Sequence, residues 1–516
     1  NLFISTDYDE DSKTLLANRR ARAKGDSSPW IFQRVICEDE LEGTITYETS
    51  RLNFIGRNRN LRFPKVMDDD APLINTVGTV LDPILSLRCS LRIEPGEEKA
   101  VYFVTGYGGS KKDALLLSEK YSKVKYIQRC RGEFTHYTDL EIKYIGIKSL
   151  QANLYQSFSN LVLYLNEKRE DREQYIKDIH HSQEDLWPFG ISGDLPIVLL
   201  VIDKDEDMDI LRQVINMHYY WKVLGLKSDL IIYNEEASSY EEPLQNSIST
   251  YLKNSLEKDN LNKNGGVFIH NKSTMSEEIL SFLKGIASLY INSNNGALMK
   301  QFFNSIDNRK SSYIRHKELR EEDISFYKKK SKKSIKNLNI MNNFNYKMGK
   351  TLIGDDVIKE DLYFFNGYGG FDKYSMSYKI KLRDFITTPA PWINVISNED
   401  FGFHVSESGS AYTWCQNSRE NKLTPWSNDW VVDPLSEALY IRDDGARKYF
   451  SITPEPVRDE DVYDIEHGFG YSIFKHTANN ISGELTMFCP KDKKLKLCKV
   501  LLENKSSEGK GLTLFY

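Results

Sequence analysis

The sequence of 516 residues has few cysteines, no long apolar run and little net charge. Its six cysteines include no C-x-x-C pair, which argues against a zinc site or a disulfide framework and favours reduced thiols. No apolar run is long enough to cross a bilayer, and the first residues, NLFISTDYDEDSK, lack the features of a signal peptide. A formal net charge of −5 gives no electrostatic reason to expect nucleic acid. We therefore expect a cytoplasmic chain that contacts neither nucleic acid nor membrane.

The sequence also lacks the motifs of nucleotide and metal chemistry. GYGGSKKDALLLSEKY at 106–121 places glycines between a strand and a helix but fails the G-x-G-x-x-G template. Ser110 as N-cap, with Asp113 three residues later, predicts an ordinary helix start there. The pair His180 and His181 has no third ligand at metal spacing. We expect no metal and no nucleotide cofactor.

Residues 385–429 concentrate aromatic, glycine and short polar side chains in one β-patterned stretch. A sugar ring stacks its C–H face on an aromatic ring and needs hydrogen-bonding partners for its hydroxyls. The residues predicted to bind substrate are Tyr412, Trp414, Asn417, Arg419, Trp426, Asn428 and Asp429. The alternative is that these aromatics are the core of a β-sandwich, with no contact to sugar.

The pattern along the chain predicts several parts, as expected from the length. Turn-rich β-runs alternate with helical and polar stretches. The predicted parts are a partial β-sandwich at 1–110, a helical segment at 111–185, an α/β insert at 186–300, a Lys/Asn-rich linker at 301–355 and a second, truncated β-sandwich at 356–516. The last 21 residues read as a strand, a turn and the start of another strand, which would leave an open edge. We therefore expect a segment of a larger protein.

Three successive β-α units in the insert predict a small parallel sheet flanked by helices. The runs LPIVLLVID, SDLIIYNE and GGVFIHN are the strands, and SEEILSFLKGIASLYI at 276–291 reads as the last helix. Ligands of such sheets bind at the carboxyl ends of the strands, where Asp203, Asn234, Glu235 and Asn271 would lie. No glycine-rich phosphate loop follows these strands, so a structural spacer is the favoured interpretation and a ligand site the alternative.

Several long segments resemble family 94 glycoside phosphorylases and the matching region of cyclic β-1,2-glucan synthases. The segments near the end are TPAPWINVISN, FGFHVSESGSAYTW, NSRENKLTPWSND and DPLSEALYIRDD. Upstream, YETSRLNFIGRNRNL, NTVGTVLDPILSLRCSLRIEPGE and LWPFGISGDLPIVLLVID extend the likeness over most of the chain outside 300–350. These upstream segments point to the synthase and 1,2-β-oligoglucan phosphorylase branch.

The resemblance implies a supersandwich domain followed, beyond this chain, by a catalytic (α/α)₆ barrel. Family members use inverting phosphorolysis, with an Asp general acid in a GDWND-like motif and inorganic phosphate as co-substrate. No GDWN or DWN occurs here, so we expect no catalytic residue in this segment. It would be the carbohydrate-binding and structural part of a β-1,2-glucan-processing phosphorylase or glycosyltransferase, inactive alone, with β-glucan or oligosaccharide as partner and a homodimer left open. If the parent is a synthase, the chain would lie at the cytoplasmic face of the membrane. A non-catalytic carbohydrate-binding scaffold is the alternative.

Overall fold

The computed structural model describes residues 3–21, 28–130, 144–164, 172, 174–175, 180–236, 242–302, 362, 365–372, 374–375 and 377–516. The chain forms two compact units. The first contains the segments Asn1–Thr138 and Lys336–Tyr516, and the second is Asp139–Ile335. Apart from positions 301 and 302, the predicted linker at 301–355, with its basic cluster at 328–336, lies outside the described residues.

The regular elements of the described residues are mostly strands. In chain order they are β1 (Ile4–Asp9), β2 (Thr14–Arg19), β3 (Trp30–Cys37), β4 (Glu42–Ser50), β5 (Gly78–Thr79), β6 (Pro83–Ile93), β7 (Glu98–Gly108), β8 (Ile197–Ile202), β9 (Asp229–Asn234), β10 (Val267–Asn271), β11 (Leu289–Asn292), β12 (Gly369–Phe371), β13 (Tyr378–Leu382), β14 (Ile393–Ser397), β15 (Phe401–Ser406), β16 (Ala411–Cys415), β17 (Tyr440–Asp443), β18 (Lys448–Phe450), β19 (Tyr463–Gly468), β20 (Tyr471–Ala478), β21 (Ile481–Phe488), β22 (Leu495–Asn504) and β23 (Lys510–Phe515). The α-helices with both ends among the described residues include Arg51–Ile55, Lys111–Lys120, Ser149–Leu163, Met208–Val223, Pro243–Lys253 and Glu277–Ile286.

The first unit is built from antiparallel sheets. One sheet has the order β12-β13-β19-β20-β21-β22-β7-β3-β2-β1-β5, and a second has the order β18-β17-β23-β6-β4. A three-stranded sheet, β14-β15-β16, joins the same core through Phe401 and Phe403. Burial alternates along β20, and along β22 from Lys499 onward, so that every second side chain there faces inward, as expected where a sheet has one solvated face.

The two predicted sandwiches are one. Strands from the N-terminal part pair with strands from the C-terminal part, since β7 lies beside β22 and β6 beside β23. Alternation along a strand shows which side chains are buried but does not name the strand that pairs with it. The prediction of two separate sandwiches is therefore wrong. The predicted open edge is also wrong, because β23 lies between β17 and β6 inside its sheet.

The second unit contains a parallel sheet of order β10-β9-β8-β11. Every residue of β8 and β9 is buried, because helices cover both faces of such a sheet. The three predicted β-α units are present. The last predicted helix was too long: it ends at Ile286, and Leu289–Asn292 forms β11 beside β8. A short apolar run fits both a helix end and a buried strand, and the sheet resolves that ambiguity.

The predicted helix start at Ser110 is confirmed. The Ser110 hydroxyl accepts a hydrogen bond from the Asp113 backbone N–H at 3.1 Å, and the helix runs over Lys111–Lys120. Within the described part of the chain, no helix has both the length and the apolarity needed to cross a membrane.

Candidate functional site

The aromatic side chains of the predicted site are brought together by the hairpin of β15 and β16. His404 pairs with Tyr412, and Gly402 pairs with Trp414. Directly paired residues of antiparallel strands share a face, and so do residues two apart on one strand. The opposite face carries apolar side chains such as Phe403 that enter the core. Register therefore collects His404, Tyr412 and Trp414 on the face directed away from that core.

Tyr412 lies at the centre of this aromatic cluster. Its ring centroid is 4.4 Å from that of His404 in an edge-on contact and 5.1 Å from that of Trp414. The ring of Trp426 is nearly parallel to it, at 5.2 Å and 16°. Gly402 is needed beneath Trp414, because a Cβ there would lie 2.6 Å from an indole carbon. We define His404, Tyr412, Trp414 and Trp426 as the aromatic cluster.

The members of the aromatic cluster differ in solvent exposure: some are buried beneath the others, and one is open to solvent. Tyr412 is only 6% exposed, Trp414 is half-buried, and Trp426 is 42% exposed. Tyr412 thus supports Trp426 from beneath, and Trp426 is the ring with the largest area open to a ligand. Sugar contact by the three predicted aromatics stays a prediction.

The predicted polar residues lie on exposed loops after the hairpin, where two of them shape the backbone. The Asn417 side-chain oxygen accepts the backbone N–H groups of Arg419 and Glu420 at 2.9 and 2.8 Å. One Asp429 oxygen accepts two backbone N–H groups, two and three residues further on, both at 3.0 Å. The Arg419 side chain is 89% exposed and lies 3.2 Å from the Glu420 carboxylate, and Asn428 is exposed. Such turn bonds hold the loop in one shape and leave the guanidinium at the surface.

Glu437 connects the hairpin, the loop and the core, and sequence analysis missed it. One of its oxygens accepts the hydroxyls of Thr413 and Thr424 at 2.7 and 2.9 Å. The other accepts from the buried Lys496 ammonium, and from the Tyr516 hydroxyl at 3.2 Å. Burial acts to raise the pKa of Glu437, but the Lys496 charge and these hydrogen bonds outweigh it and lower the pKa below its ordinary value. The resembling segment DPLSEALYIRDD contains Glu437, but no spacing in the sequence pairs it with Lys496.

His404 is neutral at neutral pH. Burial lowers its pKa to about 4, and the Lys496 charge acts in the same direction. The carboxylates of Asp433 and Glu437 oppose this shift only in part. The aromatic cluster therefore contains an uncharged imidazole whose protonation would place a cation in a buried site.

Three other carboxylates of the β-rich region, Glu407, Asp443 and Asp444, are held in structural contacts. Glu407 accepts the Trp392 backbone N–H at 2.6 Å, and burial raises the pKa of Glu407. Asp443 pairs with Lys510 at 2.6 Å, and Asp444 accepts from a buried guanidinium at 2.8 Å. Glycoside hydrolysis usually needs two carboxyl groups facing one another across a substrate, and phosphorolysis needs one such acid beside a bound phosphate. These three side chains instead bind neighbouring groups of the fold.

The second unit places the sequence-predicted strand-end residues at one edge of its parallel sheet. They are Asp203, Asn234, Glu235 and Asn271. Asp203 accepts from the Asn294 side chain at 3.2 Å, and Asn234 accepts the Glu236 backbone N–H at 2.9 Å. These bonds shape the loops at the strand ends, while a ligand role for the edge stays untested. Over the described residues, no group of three His, Cys, Asp or Glu side chains could hold a metal ion.

A family model described as glycosyl hydrolase 94, supersandwich domain, matches residues 1–124 and 376–516, more than half of the chain. The chain belongs to glycosyl hydrolase family 94. The two matched segments are the two parts of the sandwich, so the family match and the strand pairing agree. Residues 125–375 of this family 94 chain, which include the parallel α/β sheet, lie outside the matched segments. The resemblance predicted from the sequence is confirmed.

This family 94 chain is similar to relatives named as a glucan synthase and as a phosphorylase. It is 29% identical over 521 residues to the cyclic beta-(1,2)-glucan synthase NdvB of Rhizobium meliloti (strain 1021), a match that covers 100% of this chain and 18% of the synthase. It is 31% identical over 151 residues to the N,N'-diacetylchitobiose phosphorylase of Vibrio proteolyticus, covering 29% of this chain and 18% of that protein. The matched residues thus cover less than a fifth of the length of each relative.

Proposed function

We propose that this chain is the carbohydrate-binding and structural portion of a β-1,2-glucan-processing enzyme, either a phosphorylase or a cyclic glucan synthase. The similarity to a β-1,2-glucan synthase along the whole chain supports the substrate class. Because the chain spans only 18% of that synthase, we assign the chemistry to the parent protein. The observation that carries the binding role is Trp426, a ring 42% exposed above the buried Tyr412.

In this proposal, Trp426 stacks on the C–H face of a glucosyl unit. Tyr412 fixes the indole from below, so little side-chain entropy is lost when the sugar binds. Asn428, on the same exposed loop, would form hydrogen bonds with sugar hydroxyl groups. The side-chain atoms of Asn417 and Asp429 that are not used in the turns would do the same. The planar fork of Arg419 suits a hydroxyl pair or a phosphate.

The binding role is tested by titrating the purified chain with β-1,2-gluco-oligosaccharides by calorimetry. Trp426→Ala is expected to weaken binding at least tenfold, because it removes the stacking face, and Arg419→Ala to weaken it less. Trp187→Ala is the matched control, since Trp187 is an exposed tryptophan of the second unit. Unchanged affinity in Trp426→Ala, together with a large loss of thermal stability, would assign the aromatic cluster to packing alone.

We further propose that the segment has no phosphorolytic activity alone, that the parent uses inorganic phosphate as co-substrate with no other cofactor, and that it works in the cytoplasm. The described carboxylates Glu407, Glu437, Asp443 and Asp444 are held by neighbouring groups, which supports an acid located elsewhere in the parent. Incubation of the chain with oligoglucan and phosphate should release no glucose 1-phosphate. Release above that of a heat-inactivated sample would contradict the proposal.

A non-catalytic carbohydrate-binding scaffold is the second candidate, favoured by the same held carboxylates. Both candidates predict glucan binding at Trp426. They differ in the parent protein: phosphorolysis or glucan synthesis by the full-length protein, reduced by Trp426→Ala, supports the enzyme. A full-length protein that binds oligoglucan without converting it supports the scaffold.

A further inference from the structure

A cavity of about 530 Å³ lies within the sandwich unit. Strands β2 and β3 of the large sheet and β6 of the five-stranded sheet contribute to its walls, and Leu423, Thr424 and Pro425 line it from the loop. Short side chains such as Ala17 and Ser86 leave this space between the sheets. Its volume falls in the range of small-molecule sites, roughly 300–1,000 Å³.

Two buried polar atoms in the cavity wall have no hydrogen-bond partner within the described part of the chain. Gln33 is 5% exposed and Ser86 is 4% exposed, and both residues line the cavity. Among the described residues, neither the Gln33 side-chain oxygen nor the Ser86 hydroxyl has a hydrogen-bond partner. Buried polar groups of native proteins are nearly always paired, so each such exception calls for an explanation. A ligand hydroxyl could pair with either group, because a hydroxyl both donates and accepts.

The charged residues of the wall already have partners. Glu437 accepts from Lys496, two threonines and Tyr516. Arg51 lies 3.4 Å from Asp82, and both side chains are about half exposed. A charged ligand would therefore find no free counter-charge among the described lining residues, and desolvating it would be unfavourable.

The rest of the wall is mainly apolar, with Ile31, Phe54, Ile84 and Leu85 among its members. Apolar walls combined with a small number of polar groups are the usual composition of small-molecule sites. We propose that this cavity binds a neutral amphiphile with an apolar body and a hydroxyl that reaches Gln33 or Ser86. This site is distinct from the glucan contact proposed at Trp426.

The proposal is tested with three probes of one chain length: 1-octanol, octanoate and octylammonium. Calorimetry and thermal shift on the purified chain should show saturable one-to-one binding of 1-octanol, and at least tenfold weaker binding of the two charged probes. In methyl NMR, signals of Ile31 and Leu85 should shift with 1-octanol while that of Ile248, in the second unit, does not. Absence of saturable binding, or equal affinity for all three probes, would overturn the proposal.

Two variants separate the polar contact from simple apolar partitioning. Gln33→Leu and Ser86→Ala remove the unpartnered groups and should fold, since each replaces a buried polar group without a partner by an apolar one. At least one of them should bind 1-octanol about tenfold more weakly than the wild-type chain. Gln128→Leu, which changes an exposed glutamine, is the matched control and should bind normally. Wild-type affinity in both cavity variants would overturn the assignment.

Discussion

The hairpin and the loop that follows it differ in what they do with the same kinds of side chain. On the hairpin, Tyr412 is 6% exposed and packs against three rings. On the loop, Trp426 is 42% exposed and Arg419 is 89% exposed. Aromatic and polar composition marks the region as a whole, but strand register and turn bonds decide which side chains support the surface and which form it. The comparison predicts that hairpin changes alter stability and loop changes alter binding.

The largest effect is expected from removing the charge under the hairpin. Lys496→Met leaves the buried Glu437 without its cation and should lower the free energy of unfolding by about 3–5 kcal/mol, measured by chemical denaturation. Lys499→Met is the control on the same strand, because Lys499 is partly exposed and should cost under about 0.5 kcal/mol. Equal losses in the two variants would show that the Glu437 contact does not hold the hairpin and the loop together.

A direct comparison of Tyr412→Ala with Trp426→Ala sharpens the distinction. Tyr412→Ala opens a space inside the aromatic cluster and should cost about 3 kcal/mol of unfolding free energy, as large-to-small core changes do. Trp426→Ala removes a partly exposed ring together with its contacts to Tyr412 and His404, and should cost about 1–2 kcal/mol. Both values come from the same denaturation experiment. Similar losses would mean that Trp426 belongs to the core and would weaken the proposed glucan contact.

Acid should act on the hairpin through His404. The pKa of His404 is lowered from 6.5 to about 4 by burial, so the unfolded chain binds more protons between these values and stability falls as pH decreases. The contribution is fully present above about pH 6.5 and is lost by about pH 4, roughly 3 kcal/mol in all. His404→Gln should flatten the denaturation free energy over this range. The pKa of His467 is also lowered to about 4, so part of the slope will remain; an unaltered slope would contradict the prediction.

Local sequence patterns predicted part of the fold. Strand pairs between distant parts of the sequence could not be predicted in this way. The helix start at Ser110 was predictable because the cap and its partner lie three residues apart. The end of the last helix at Ile286 was not, because β11 exists only where β8 can pair with it. The union of the two sandwiches depends on β6 and β23, which lie at opposite ends of the sequence.

In the candidate site, too, some features follow from the local sequence and others depend on contacts between distant residues. Composition identified the stretch with Tyr412 and Trp426, since aromatic density is visible in sequence. It did not show that Tyr412 is covered, because that depends on the His404 register and on a loop folding back. Glu437 and Lys496 were missed because nothing local marks them as partners. The polar atoms of Gln33 and Ser86 become notable only once the sheets enclose them.

The position of β23 between β6 and β17 has a consequence for how the protein is made. Residues such as Leu91 leave the ribosome long before their partners near Leu512. At about 5–20 residues per second, the wait is roughly 20–80 seconds. During that time β6 can pair with β4 on one side, but its edge toward β23 stays unpaired, whereas the contiguous parallel sheet of the second unit can close as it is translated. The nascent sandwich is therefore the part of this chain expected to depend most on chaperones.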